Sequence, residues 1–319
     1  MSRRIKPYTT NQETWNHILQ KTLRIPMNQR LYEWKIQEIT KFLDDIFNIF
    51  EEGKYVEKMG SIINLKYNNV NDIYDGQQRI LTTILILYVI GCFSEEKLKN
   101  KIEELLTVDT VIDILTSEQQ KMKDEYNVNK IPKIYCINPY DRKGLVDIFN
   151  DKIESPICYL RNLDEIDSFD KLDEYVSRSG VTLGRKGDFI RHIEKQDKYN
   201  PPPKNNPTNL YSAFIEIYNY IALKKYDKSR LIKLYKFILE DIDIQYYDCT
   251  DPQYVSRIFD WENNRGKAVK TLDIIKNPIL VKIPDYKKTE VYDKWESLKH
   301  KESKIKDFGT KIFDVAIQI

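Results

Sequence analysis

The chain has 319 residues, 41% of them hydrophobic and 31% charged, which suits one large folded domain or two smaller ones and excludes a chain disordered throughout. Its 51 basic and 49 acidic residues leave a net charge of +2, so charge alone demands no polyanionic partner, although a local basic face can sit within a neutral total. The most apolar run, residues 84–93, is far shorter than the ~20 residues of a membrane span, and the basic start "MSRRIKPYTT" lacks a following apolar stretch. A soluble, intracellular (cytoplasmic) protein with no membrane partner is therefore expected.

In chain order, Trp15, Ile18, Leu19 and Leu23 fall at three- and four-residue spacing, which predicts a helix over residues 11–23. Pro26 pushes the residue before it toward extended geometry, so residues 24–34 are expected as a loop or short strand. Residues 35–51 carry the apolar stripe Ile36, Ile39, Phe42, Leu43, Ile46, Phe47 and Phe50, and read as a second helix. "MGSIINLKY" and "NDIYD" read as two short strands joined at Asn68 and Asn69. The helix over residues 77–93 is apolar nearly all round, so it is expected to be buried on most sides.

Beyond residue 95 the pattern turns helical, with amphipathic stretches at 95–106, 109–123 and 141–149. Residues 177–188 hold three glycines and residues 198–209 four prolines, so both read as loops, flanking one candidate helix at 189–194. Helices are predicted again at 210–224 and 229–239, a strand at "DIDIQYYDC", and a helix at 251–260. This gives an α+β chain with three stretches: residues 1–95 with a small mixed β-element and packed helices, a mainly helical 96–285, and a helical extension over 286–319. No repeat of fixed period is visible.

Cys92, Cys136, Cys158 and Cys249 are widely spaced and form no C-x-x-C pair, which fits reduced, mostly buried thiols. His17, His192 and His300 stand near no cysteine or second histidine at a metal-ligand spacing, so neither zinc nor haem is expected.

The junction "DGQQR", residues 75–79, is the first candidate site. A helix start offers unpaired N–H groups and the positive end of the dipole, where anions bind. Gly76 lets a phosphate approach the backbone, Gln77 and Gln78 add amide donors, and the Arg79 guanidinium can fork onto two phosphate oxygens. Asp75 could cap the helix, hold Arg79, or bind a divalent metal that carries the phosphate. The simpler alternative stays open: Asp75 caps, Gly76 turns and Arg79 forms a surface ion pair.

Two further segments carry similar chemistry. In "IPMNQRLYEW", an extended chain would put Asn28, Arg30, Tyr32 and Trp34 on one face, arginine for phosphate and rings for a base, or simply anchor an edge strand with two aromatics. In "FDWENNRGKAVKTLDIIKN", Asn263, Asn264, Arg265 and Gly266 form a donor-rich turn, or only a helix stop before the next helix start.

These segments, in this order, resemble the N-terminal domain of GmrSD-type modification-dependent restriction systems, the domain of unknown function 262. Its I-P-x-x-Q-R-x-Y-x-W segment is matched by Ile25, Pro26, Gln29, Arg30, Tyr32 and Trp34, and its glycine–serine strand start by Gly60 and Ser61. The D-G-Q-Q-R hallmark is complete at residues 75–79. The N-x-R-G-x-x-L-x-x-x-D pattern is matched by Asn263, Arg265, Gly266 and Asp273, with Val269 in place of the usual leucine.

The resemblance implies a ParB/sulfiredoxin-like fold in the first part, with G-x-x-R at a strand–helix junction holding nucleotide phosphates. Gly76 and Arg79 fit that rule. It also implies binding and hydrolysis of a nucleoside triphosphate with magnesium, coupled to DNA cleavage. On this reading Asp75, Gln78 and Arg79 are catalytic and Asp75 holds magnesium. Gln29, Arg30, Tyr32, Trp34, Gly76, Gln77, Arg79, Asn263, Arg265 and Gly266 bind the nucleotide. Family nucleases carry a histidine-rich HNH-type motif in a later domain. His300, in "LKHKES", does not make one. The expectation is a lone nucleotide-handling module, a module whose nuclease is a separate subunit, or the product of a shortened gene. A ParB-like DNA nuclease and a non-catalytic, nucleotide-switched binding protein are the alternatives.

Overall fold

The computed structural model describes residues 8–150 apart from 28, 54–58 and 68, together with 208–252, 254, 255 and 258. The loops expected at 177–188 and 198–207, the helix at 189–194 and the extension over 286–319 lie outside the described residues, as do Cys158, His192 and His300.

The elements in order are β1 (Tyr8–Thr14), α1 (Trp15–Leu19), β2 (Leu23–Ile25), α2 (Ile36–Glu52), β3 (Ser61–Tyr67), β4 (Val70–Asp75), α3 (Gln77–Phe93), α4 (Glu96–Leu106) and β5 (Thr107–Asp109). There follow α5 (Ser117–Tyr126), β6 (Lys130–Pro132), β7 (Tyr135–Cys136), α6 (Pro139–Phe149), α7 (Leu210–Lys224), α8 (Lys228–Lys236), a π-helical turn (Phe237–Asp241) and β8 (Asp243–Cys249). The protein is mixed α+β, as its sequence predicts.

Six strands form the main sheet in the order β1-β8-β3-β4-β2-β7. β1 runs antiparallel to β8, β8 parallel to β3, β3 antiparallel to β4, and β4 and β7 both parallel to β2. Strands from both sides of residue 95 share this sheet, and β8 lies between β1 and β3.

The helix expected over 11–23 is corrected. Residues 8–14 pair with β8 along their whole length, from Tyr8 opposite Cys249 to Thr14 opposite Asp243. Only Trp15–Leu19 is helical, and there the predicted apolar spacing buries Trp15, Ile18 and Leu19. The polar stretch before Trp15 has no apolar period of its own, so the partner strand decides its form. The helix expected over 109–123 begins only at Ser117, capped reciprocally by Thr116 and Gln119.

One face of the sheet, with Ile62, Ile73, Ile244 and Tyr246, joins the main core of α1, α2, α3 and α7. α3 is buried on nearly every side and packs against α4, α7 and α8, so its apolar character reflects position at the centre of the helical layer. Each leucine or isoleucine it buries stabilises the fold by about 1.5–3 kcal/mol against leaving it exposed. α2 buries Ile39, Phe42, Leu43, Ile46 and Phe47 and stops at Gly53, in the left-handed region at φ +64°. The other sheet face gathers Ile63, Leu65, Tyr247 and Cys249 with Val255 and Ile258.

Candidate functional site

β4 delivers the chain to the site. The β3–β4 ladder slips register between Ile63 and Asn64, so that Ile63 faces Asp75 while Asn64 faces Ile73. Such a bulge re-aims the end of a strand. The chain then turns at Gly76, whose φ of +87° is left-handed. A Cβ there would stand 2.7 Å from Ile62 Cγ1 and 2.9 Å from the Ser61 carbonyl oxygen. Glycine is thus required twice, by conformation and by close approach to β3. Gly76 itself is the N-cap of α3 and has no side chain to cap the helix. The expected cap position of Asp75 is therefore corrected: Asp75 closes β4, one residue before the N-cap.

Arg79, in the first turn of α3, folds back over the start of β3. Its Nη1 donates to the Ser61 carbonyl at 2.8 Å. A Cβ on Gly60 would lie 2.7 Å from Arg79 Nε and 2.8 Å from Cζ, and Gly60 too is left-handed at φ +92°. Gly60, Ser61, Gly76 and Arg79 therefore meet in one place. Among the described residues the bond to Ser61 is the one hydrogen bond of an arginine that carries five N–H donors.

The two glutamines behave differently from the arginine. Gln77 Nε2 donates to the Arg30 carbonyl at 2.8 Å, while its Oε1 is buried with no hydrogen-bond partner. Gln78 Oε1 accepts from the N–H groups of Glu33 and Trp34 at 3.0 and 3.3 Å, and its Nε2 donates to the Leu31 carbonyl at 3.0 Å. The amide of Gln78 is committed at both ends to the loop over residues 30–34. The sequence spacing suggested donors for a ligand; the structure makes Gln78 a clamp.

That loop is not a strand, because β2 stops at Ile25, and the shared face expected for Arg30, Tyr32 and Trp34 is corrected. Asn28 lies outside the described residues. Gln29 closes a turn back to the Pro26 carbonyl at 3.0 Å and is half-buried. Arg30 is exposed, with Nη1 3.4 Å from Glu33 Oε2. Trp34 packs edge-on against Phe42, 5.3 Å between centroids. Tyr32 is fully buried, and its hydroxyl shares a 2.7 Å hydrogen bond with Thr82 Oγ1. No base can reach that ring, which anchors the loop instead. Burial pushes its phenol well above the usual tyrosine range.

Three residues that sequence reasoning missed complete the clamp. Asp141 of α6 accepts the Tyr32 N–H at 3.1 Å and the Thr208 hydroxyl at 2.6 Å, at 1% exposure. Burial pushes its carboxyl up to about 7, against the two hydrogen bonds, which favour the charged form. Asn209 donates from its backbone to the Tyr32 carbonyl and from its side chain to the Glu33 carbonyl, both at 3.1 Å. The one local signal was the Asn138–Pro139 start of α6, where Asn138 caps the Tyr140 N–H and so fixes the position of Asp141. Nothing local pointed to Tyr32, 109 residues away.

Asn263, Arg265 and Gly266 lie outside the described residues. Among the described residues no group of three or more His, Cys, Asp or Glu is placed to hold a metal, and no helix is long and apolar enough to cross a membrane.

A mixed sheet in which one strand ends in a left-handed glycine and feeds a helix with an arginine in its first turn defines an α+β domain with a glycine-dependent strand–helix junction. Residues 13–280 match the family model described as GmrSD restriction endonuclease, N-terminal domain. The chain belongs to this family. No curated protein matches it.

Proposed function

We propose that the chain is a nucleotide-binding, NTP-hydrolysing regulatory module of a GmrSD-like modification-dependent restriction or antiphage system. The observation that carries this reading is Arg79. Among the described residues its guanidinium makes one hydrogen bond, at a helix N-terminus whose cap is a glycine and between two left-handed glycines, with donors left for an anion. On this reading Gly76 and the first-turn N–H groups of α3 approach the phosphates and Arg79 forks onto them. Gln77 lies beside them with a buried, unpartnered oxygen. Arg30, Gln29 and Trp34 stand on the loop that the two glutamines dock onto the same helix end. Asn263, Arg265 and Gly266 remain nucleotide-binding candidates.

Asp75, partly exposed beside Gly76, fits a magnesium ion shared with phosphate oxygens, since one carboxylate plus phosphates is a common way to hold that ion. The ion would neutralise phosphate charge. A non-catalytic nucleotide switch is the second reading, and the clamp made by Gln78 favours it: the amide read as catalytic already bonds the loop at both ends.

The test is thermal stability with each nucleoside triphosphate and magnesium, for the wild type and for Arg79→Ala and Arg79→Lys. A ligand that binds only the folded state adds about 2.7 kcal/mol at a hundredfold excess over its Kd. The expected result is a shift in the wild type that both folded variants lose or diminish. No shift with any nucleotide overturns the reading. Turnover assays on the shifted protein then separate an NTPase from a switch, and nicking of plasmid DNA by the pure chain would favour the ParB-like nuclease.

A further inference from the structure

Four large hydrophobic side chains are exposed among the described residues: Val111 at 75%, Ile112 at 80%, Ile114 at 99% and Ile232 at 42%. Their distribution is not random. Three share one short loop between β5 and α5, and the fourth sits on α8.

The loop is built to present them. Asp109 Oδ1 accepts the N–H groups of Val111 and Ile112 at 2.8 and 3.3 Å, and Asp113 Oδ2 accepts the Asp109 N–H at 2.9 Å. The Asp113 N–H returns to the Asp109 carbonyl at 3.0 Å, Thr110 is tied to Val128 and Asn129, and Lys123 Nζ reaches the Thr110 carbonyl at 2.9 Å. A loop held at so many points does not fold its aliphatic tip inward. The segment itself is acidic: residues 107–120 contain Asp109, Asp113 and Glu118 and no lysine or arginine, while Lys123 reaches the loop's backbone and Arg24 stands 4.0 Å from Glu118.

The setting of Ile232 is the reverse. α8, "KSRLIKLYK", follows its Asp227 cap with Lys228, Arg230, Lys233 and Lys236; Lys228 pairs with Glu95 and Arg230 with Glu51, so Lys233 and Lys236 supply the basic rim beside Ile232. Lys228 and Lys236 stand four residues before and after Ile232, on the same exposed stripe, with Lys233 beside it. An aliphatic tip with an acidic rim and an aliphatic spot with a basic rim are complementary in both apolarity and charge.

We propose that the 109–114 loop docks onto the exposed face of α8 of a second copy of this chain. The contact joins two different surfaces, so it is head-to-tail, and it propagates or closes into a ring according to the rotation between copies. Four aliphatic side chains fall well short of the about 1,200 Å² of a stable interface. The association is therefore weak on its own, dependent on concentration, and weakened by salt because its rims are exposed charges.

Sedimentation of the full chain from about 1 μM to about 1 mM tests this. The first variant is Val111→Ser/Ile112→Ser/Ile114→Ser; the second is Ile232→Glu, with Lys233→Glu/Lys236→Glu as its backup. All these side chains are exposed and carry little of the fold. The wild type is expected to gain mass with concentration, and less so in high salt. Each variant alone is expected to stay monomeric to at least about tenfold higher concentration. A mixture of the first and second variants keeps one intact loop and one intact α8 face, so it is expected to form a 1:1 dimer that grows no further. A wild type that stays monomeric throughout overturns the proposal. So does a loop variant that associates like the wild type, or a mixture that leaves two monomers.

Discussion

The loops at 30–34 and at 109–116 are both irregular, and they are held in opposite ways. The first is fixed by side chains from three distant places: Gln77 and Gln78 on α3, Asp141 on α6, and Asn209 at the start of α7. The second is fixed largely by its own aspartates, through bonds that span two to four residues. The first is buried in part and sits against the candidate site; the second is exposed and carries aliphatic side chains outward. The difference teaches that hydrogen-bond count says little about a loop's cost to the fold. What matters is whether water can replace the bonds when they are removed.

Gly76→Ala should have the largest effect, because it destroys the junction to which the first loop is clamped. A left-handed alanine costs about 1–2 kcal/mol, and its Cβ would press on the Ile62 side chain and the Ser61 carbonyl. The total loss expected in chemical denaturation is about 3 kcal/mol or more. Gln78→Ala comes next. It leaves the N–H groups of Glu33 and Trp34 and the carbonyl of Leu31 without their partner. A loss of about 2–4 kcal/mol is expected, with faster hydrogen exchange at the amides of Glu33 and Trp34. A loss under about 1 kcal/mol would break the contrast between the two loops.

Asp141 sharpens it through pH. Its carboxyl is pushed from 3.8 up to about 7 in the fold, so between these values the folded protein binds a proton that the unfolded chain has released. Its contribution to stability is full below about pH 4 and is lost as pH rises through about 7. Asp141→Asn removes this dependence. The wild type should lose stability relative to the variant across that window, by at most about 1.4 kcal/mol per pH unit. Parallel pH curves for the two proteins would count against a raised carboxyl at this position.

Asp109→Ala should be the mildest. It removes the acceptor for the exposed N–H groups of Val111 and Ile112, which water can take over. The expected loss is below about 1 kcal/mol, seen as a small change in denaturation midpoint. A cost equal to that of Gln78→Ala would show that local and long-range clamps weigh alike.

Much of this protein was fixed by local pattern. The apolar stripe of α2, the nearly all-apolar α3, the helix at 210–224 and the β3–β4 pair follow from periodicity that any partner would satisfy. The glycine of the junction was legible because the turn demands a residue without a Cβ. Tertiary structure decided the rest. Residues 8–14 became a strand because β8, some 235 residues later, offers them a full ladder, and their own polar pattern did not resist. Tyr32 went into the core and Gln78 onto a loop because their partners come from other elements. Side-chain period reports which face of an element is apolar, over a few residues. It carries no information about which distant backbone group will claim a polar side chain, and that claim separates the glutamines that clamp the loop from Arg79, which bonds only the Ser61 carbonyl among the described residues.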